Sequence, residues 1–166
     1  MAKTETFTFN RIPKTAADLR SYAEADLTTP FKTAALTMLT LCAYNNDSEA
    51  VYEMLDFLKG PESVSDYEKQ FLKDRLGGKA YKAVSFFKGA TPENGYKASF
   101  PYEIEISDNP YSYPDENWAT LYVKSSGADS PRPIKLRKKP STGQWFLSEI
   151  QFLSDVRLPV AEDPWA

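Results

Sequence analysis

The sequence predicts an α+β fold in which N-terminal helices pack on a C-terminal antiparallel β-sheet. Between about residues 14 and 88 apolar residues recur at helical spacing, whereas between about residues 100 and 152 apolar and polar residues alternate as they do in strands. The connections between the last strand candidates have the length of hairpins, which predicts a meander. One domain is expected for 166 residues, with residues 153–166 as a C-terminal strap that holds Trp165 against the domain.

The most apolar helix is predicted over residues 30–44. Thr29 is a capping residue, and Pro30 suits the first helical position, where its missing N–H is not needed. The stretch contains no acid and a single base, Lys32, so that little of its surface suits water. It is therefore predicted to be a central helix that is packed on most sides.

Three further helices are predicted on either side of this segment, because each begins at residues that cap free backbone N–H groups. The caps are Thr15 with Asp18, residues 45–48, and Ser65 with Glu68, and the glycines that end the second and third helices are Gly60 and Gly77. In the last of these helices Tyr67 and Phe71 are expected to face inward.

Four segments have the alternation of strands: residues 102–106, 118–125, 132–139 and 144–150. Residues 7–9 alternate briefly and fit either a short strand or an extended lead-in. The core is expected to contain residues from both halves of the chain, namely Met38, Leu41, Leu55, Phe71, Leu121, Leu136 and Phe146.

The composition excludes many kinds of catalytic site. The chain has no histidine and one cysteine, Cys42, which rules out histidine-activated nucleophiles and a thiolate zinc cage. No glycine-rich phosphate loop is present, and the net charge of −3 argues against nucleic-acid binding. We therefore expect no metal, no cofactor, no membrane partner, and a non-catalytic binding module in the cytoplasm with a buried, structural Cys42.

The candidate contact surface is the loop of residues 109–118. It combines the aromatic residues Tyr111, Tyr113 and Trp118 with the carboxylates of Asp115 and Glu116. Exposed rings beside polar groups suit a protein, peptide or sugar partner. The competing interpretation is that these rings cover an edge of their own sheet.

A charge contrast follows in the strand region. Five acids and no base lie between Lys97 and Lys124, whereas residues 132–139 hold five bases and no acid. The basic strand is either an anion-binding patch or, as we expect, the neighbour of Glu103 and Glu105 on one solvent-facing sheet surface, where the opposite charges partly neutralise each other.

The order of helices followed by a meander is similar to that of nuclear-transport-factor-2-like cone folds. This similarity gives the alternative function, a small-molecule cavity enzyme or ligand binder that uses Asp, Glu or Tyr side chains between the helices and the sheet. The sequence assigns no residue to such a role.

Several stretches together resemble a family of small uncharacterised bacterial proteins, a domain of unknown function. They are residues 29–36, 57–61, 67–76, 109–113, 125–132 and 161–165. The resemblance spans nearly the whole chain and implies one domain in a bacterial cytosolic protein. The family has no known activity or catalytic residues, so the resemblance assigns none to this chain.

Overall fold

A computed structural model describes residues 2–150, 153 and 156–165 of the chain. Within these residues the elements in chain order are β1 (Thr4–Phe9), α1 (Ala16–Arg20), α2 (Pro30–Leu41), α3 (Ser48–Lys59), α4 (Asp66–Leu76), α5 (Tyr81–Val84), β2 (Tyr102–Ser107), β3 (Trp118–Val123), β4 (Arg132–Lys139) and β5 (Gln144–Glu149). Short 3₁₀ helices lie at Ala23–Asp26, Pro92–Asn94 and Val160–Glu162. The fold is α+β, and none of the described helices is long and apolar enough to cross a bilayer.

The five strands form one antiparallel sheet in the order β1-β2-β3-β4-β5, curled into a half-barrel. The predicted meander of the last three strands is confirmed. The sheet is not wholly C-terminal, however, because β1 pairs along its full length with β2, from Thr4 opposite Ser107 to Phe9 opposite Tyr102. The alternation at residues 7–9 indicated part of this strand, but three residues could not predict its partner.

The sheet is open between β2 and β3. The two strands pair only at Ser107 opposite Tyr122. The chain between α5 and β2 bridges the opening, since the Ser126 N–H donates to the Ser85 carbonyl (3.1 Å) and the Lys88 N–H donates to the Glu103 carbonyl (2.8 Å). The backbone groups of the two separated strands are thus partly satisfied by an inserted loop.

Helix α2 is the central helix that the sequence predicts. The Thr29 hydroxyl accepts a bond from the Lys32 N–H (3.2 Å), and every residue of α2 except Lys32 is buried. The helix lies against β2, β3, β4 and β5, and the Thr33 hydroxyl donates to the Trp145 carbonyl (2.7 Å). It ends at Leu41, three residues before the predicted end, where the chain enters a turn.

The predicted caps of the other helices are confirmed. The Thr15 hydroxyl accepts from the Asp18 N–H (3.0 Å), and the Asp47 carboxylate accepts from the Ala50 N–H (3.1 Å). Ser65 and Glu68 form the reciprocal capping box of α4.

Five of the seven predicted core residues are fully buried: Met38, Leu41, Leu55, Leu121 and Leu136. Phe71 and Phe146 are half-buried and pack against the same hydrophobic cluster. The prediction for Tyr67 is wrong, because its side chain is 80% exposed. Helix α4 instead buries Leu72 and Leu76, in its last two turns, while its first turn is exposed around Tyr67.

The C-terminal segment docks only in part, and residues 151, 152, 154, 155 and 166 lie outside the described residues. Val156 packs against Tyr96, whose hydroxyl donates to the Arg157 carbonyl (2.5 Å). The expectation that Trp165 is held against the domain is wrong, because its side chain is 93% exposed. The backbone N–H of Trp165 donates to the Asp163 carboxylate (2.8 Å). This bond forms a local turn and leaves the ring in solvent.

The outer edge of β5 is covered by the helical part of the chain. The backbone N–H of Trp145 donates to the Leu27 carbonyl (2.8 Å), and the Lys59 ammonium group donates to the Ser148 carbonyl (3.2 Å). The side chain of Lys59 is only 3% exposed and also binds the Glu68 carboxylate (2.9 Å). The covered edge is protected from pairing with another chain, and the two partners of the ammonium group offset the burial of its charge.

Candidate functional site

The loop between β2 and β3 is held in shape by its own short polar side chains. The Asn109 carboxamide oxygen accepts from the Tyr111 N–H (2.8 Å), and the Ser112 hydroxyl accepts from the Asn109 N–H (2.9 Å). Ser112 is fully buried, and its carbonyl accepts from the Thr120 N–H (2.8 Å) of β3. The loop is therefore anchored to the sheet at its centre, and its conformation does not depend on a ligand.

Tyr111 projects into solvent from this anchored loop. Its side chain is 87% exposed, although the residues on either side of it are fixed by the Asn109 turn and by buried Ser112. An exposed ring on a braced backbone is typical of a residue that contacts a partner, because little ordering is needed on binding.

Tyr113 is 45% exposed and is tied to the sheet through its hydroxyl. The hydroxyl donates to Asp108 Oδ2 (3.1 Å), while Asp108 Oδ1 accepts from the Lys3 N–H (2.7 Å) next to β1. Burial, followed by the hydrogen bond and the charge of Asp108 and the charge of Glu5, raises the pKa of Tyr113 to about 12. The phenol therefore stays neutral at neutral pH and is held by its hydroxyl, while nearly half of the residue is exposed.

The remaining predicted site residues follow at the end of the loop. Asp115 Oδ1 accepts from the Asn117 N–H (2.7 Å), and both Asp115 and Glu116 are exposed. Trp118 is the half-buried first residue of β3, and the Arg137 guanidinium lies over its indole ring, 5.0 Å from the centroid. The loop thus brings Tyr111, Tyr113, Asp115 and Glu116 to the surface, while Trp118 lies on the sheet beside the basic strand.

The expected neutralisation between the acidic and the basic strand is wrong. Strand β3 separates β2 from β4, so that Glu103 and Glu105 face β1 across the ladder. Glu103 lies 3.6 Å from Lys88, and Lys135 lies 3.7 Å from Glu149. The strand order, which the charge pattern could not reveal, decides these partners.

Two clefts flank the sheet, and both lie outside the predicted contact loop of residues 109–118. One, of about 730 Å³, lies at the opening between β2 and β3 and is lined by both signs of charge, with Lys88 and Lys124 facing Glu103 and Glu105. The other, of about 270 Å³, is lined by Lys59 and by the basic end of β4. The run of bases in residues 135–139 was the sequence signal that indicated the second cleft. No pattern in the sequence indicated that Lys59 would be buried.

The described residues contain no group of three or more Cys, Asp and Glu side chains placed to hold a metal ion. The Cys42 thiol donates to the Met38 carbonyl (3.4 Å), and burial raises its pKa, although part of the residue reaches the surface. A thiol in this setting is poorly ionised at neutral pH and is a weak nucleophile.

Comparisons with known proteins identify a family. Neither a curated protein nor a solved structure matches the chain. The family model that matches does so over residues 11–160, which include every helix from α1 to α5, strands β2 to β5 and the whole of the β2–β3 loop. The chain therefore belongs to the family described as Domain of unknown function (DUF6935).

Proposed function

We propose that the protein is a binding module without catalytic turnover and that it contacts its partner through the β2–β3 loop. The observation that carries the proposal is the 87% exposure of Tyr111 on a backbone fixed by Asn109 and buried Ser112. Aromatic residues on rigid supports contribute most of the energy of many interfaces. Tyr113 extends the apolar surface beside it.

The charge of the loop indicates the chemistry of the partner. Asp115 and Glu116 are exposed beside the two tyrosines, and no base lies between Lys97 and Lys124. A peptide or protein surface that carries Arg or Lys next to an apolar side chain would complement this pattern. We therefore propose a basic peptide segment, or a protein surface of the same character, as the partner.

The alternative function, a cavity enzyme or ligand binder of the cone-fold type, is supported by the curl of the sheet and by the contact of α2 with four strands. Against it, many residues of α2 and of the sheet are apolar and fully buried, as Leu36, Met38, Leu121 and Leu136 are. The buried Thr33 hydroxyl is already bonded to the Trp145 carbonyl. A catalytic cavity needs polar groups that reach the reacting atoms. The binding module is therefore the function that we propose, in a bacterial cytosol where a lone buried thiol remains reduced.

A peptide-display selection tests this proposal. The affinity of the peptides selected on the native protein is then measured for two variants, Tyr111→Ala and Tyr67→Ala. Tyr67 is the matched control, because it is a similarly exposed tyrosine on α4. We expect the selected peptides to carry Arg or Lys and to bind Tyr111→Ala about tenfold more weakly or worse, which corresponds to about 1.4 kcal/mol, and Tyr67→Ala unchanged. Peptides that bind both variants as well as the native protein would contradict the proposal.

A further inference from the structure

The smaller cleft lies where α3 ends against the last two strands. Its volume is about 270 Å³, and its walls are the turn that follows Lys59, the end of β4 with Pro140, and residues of β5. This volume is just below the range of pockets that take drug-sized ligands, so a single-ring molecule is the largest ligand that suits it.

Positive charge dominates the lining. Arg137, Lys138 and Lys139 contribute three cations that have no carboxylate oxygen within 4.0 Å among the described residues. Lys59 also lines the cleft, but its charge is balanced by Glu68. The only acid in the lining is the exposed Glu62, which leaves an excess of two positive charges.

Arg137 is held in place without a carboxylate. Its guanidinium lies over the Trp118 ring, 5.0 Å from the centroid, while the same side chain lines the cleft. Stacking on an aromatic ring orients a guanidinium and leaves its N–H donors available at the edge. Such a donor set matches the oxygens of a carboxylate or phosphate group.

The wall beside these cations is apolar and fixed. The Phe146 ring packs so closely on Gly60 that a Cβ at that residue would lie 2.5 Å from Phe146 Cδ1. Pro61 and Pro140 add further apolar surface to the lining. The half-buried Phe146 ring thus packs on Gly60 and also lines the cleft, where it offers an apolar surface for stacking.

We propose that this cleft binds a small organic anion, a carboxylate or phosphate attached to one planar apolar ring. The anionic group binds Arg137 and Lys139, which lie on one face of β4 on either side of half-buried Lys138, and the ring packs on Phe146. The site lies outside the proposed contact loop and touches it only where Arg137 stacks on Trp118, the last residue of that loop.

Phenyl phosphate is the probe that tests the proposal, with inorganic phosphate and phenol as its two halves. Binding is measured by amide chemical shifts at constant ionic strength. We expect saturable binding of phenyl phosphate at about 1 mM or below, with each half binding about tenfold more weakly or worse. The absence of saturable phenyl phosphate binding would overturn the proposal, and equal binding of inorganic phosphate would overturn the role of the ring.

Variants in β4 locate the site. The double variant Arg137→Ala/Lys139→Ala should weaken phenyl phosphate binding by about tenfold, because two charged donors on the same face of β4 are lost. Lys135→Ala is the control, since Lys135 lies on the same strand but pairs with Glu149 and does not line the cleft. Thermal unfolding establishes that each variant folds, and Phe146→Leu serves if the double variant does not. Equal affinity in the native protein and in the folded cleft variant would overturn the proposal.

Discussion

The Lys59 ammonium group lies 2.9 Å from Glu68 Oε2 and joins the end of α3 to the start of α4. The other oxygen of the same carboxylate accepts from the Ser65 N–H (3.1 Å) and closes the capping box of α4. Since Lys59 also donates to the Ser148 carbonyl, one buried lysine connects two helices and the edge strand of the sheet.

Removing the Glu68 carboxylate should destabilise the protein, because the buried Lys59 ammonium group then has no anionic partner. Glu68→Gln is expected to lower the free energy of unfolding by about 3 kcal/mol. This value is at the low end for a broken buried ion pair, because the Glu68 side chain is still 19% exposed. Lys59→Met should reduce the additional effect of Glu68→Gln, since no unpaired buried charge then remains. Urea unfolding of the native protein, the two single variants and the double variant measures the coupling energy between Lys59 and Glu68. A loss of stability in the double variant equal to the sum of the two single losses would contradict the coupling.

Met38→Ala should lower the free energy of unfolding by about 2–5 kcal/mol, because Met38 is fully buried in α2 and the smaller side chain leaves a cavity. Tyr67→Ala is the comparison at an exposed position and should change stability by no more than about 0.5 kcal/mol. Denaturant midpoints measure both values. A loss at Tyr67 as large as that at Met38 would contradict the burial described for α4.

The Cys42 thiol should react slowly with a labelling reagent in the native protein and rapidly in urea, because burial raises its pKa and keeps the thiolate scarce. Raising the pH from neutral to mildly alkaline should accelerate labelling of the unfolded chain much more than that of the native protein. A native rate that follows the unfolded one would show that the thiol is exposed.

Tyr113 should ionise late in an alkaline titration. Its pKa is raised from 10.0 to about 12, so the folded state keeps the phenol neutral after the unfolded chain has lost the proton. The neutral Tyr113 phenol therefore contributes to the free energy of unfolding below pH 10.0, and this contribution declines as the pH rises towards 12. The tyrosinate absorbance of the native protein minus that of Tyr113→Phe measures the step, which Asp108→Asn should move to lower pH. A step at the ordinary tyrosine pKa would contradict the hydrogen bond to Asp108.

Gly60→Ala should destabilise the protein more than Gly143→Ala does. Both glycines have positive φ angles, +68° and +73°, but only the Cβ at residue 60 would meet another residue, the ring of Phe146. The change at residue 143 measures backbone strain where a Cβ meets nothing, about 1–2 kcal/mol. The excess at residue 60, about 1–3 kcal/mol, combines the clash with the added strain of its ψ of −118°, which lies outside the left-handed region. Equal losses in thermal unfolding would contradict both the clash and the added strain.

The sequence predicted those features that depend on neighbouring residues. The caps at Thr15, Thr29 and Ser65, and the alternation of β2 to β5, were readable because their signals are local. The partner of β1 was not readable, since more than ninety residues separate Phe9 from Tyr102. Long-range contacts of this kind leave no pattern within either segment.

The candidate site was predicted in part for the same reason. The loop and its exposed tyrosines followed from residue types, whereas the stacking of Trp118 on Arg137 depends on the pairing of β3 with β4. The burial of Lys59 could not be foreseen, because a lysine in the last turn of a helix is typically solvated. Only the position of α3 against the edge of β5 removes it from water.

A chemical-shift map of the native protein with a display-selected basic peptide tests the central proposal most directly. We predict that the perturbed amides concentrate in residues 109–118, with Tyr111 and Ser112 among the largest changes, and that Gly60 and Phe146 at the cleft are unaffected. Perturbations that centre on another surface and leave the backbone N–H of Tyr111 unchanged would contradict it.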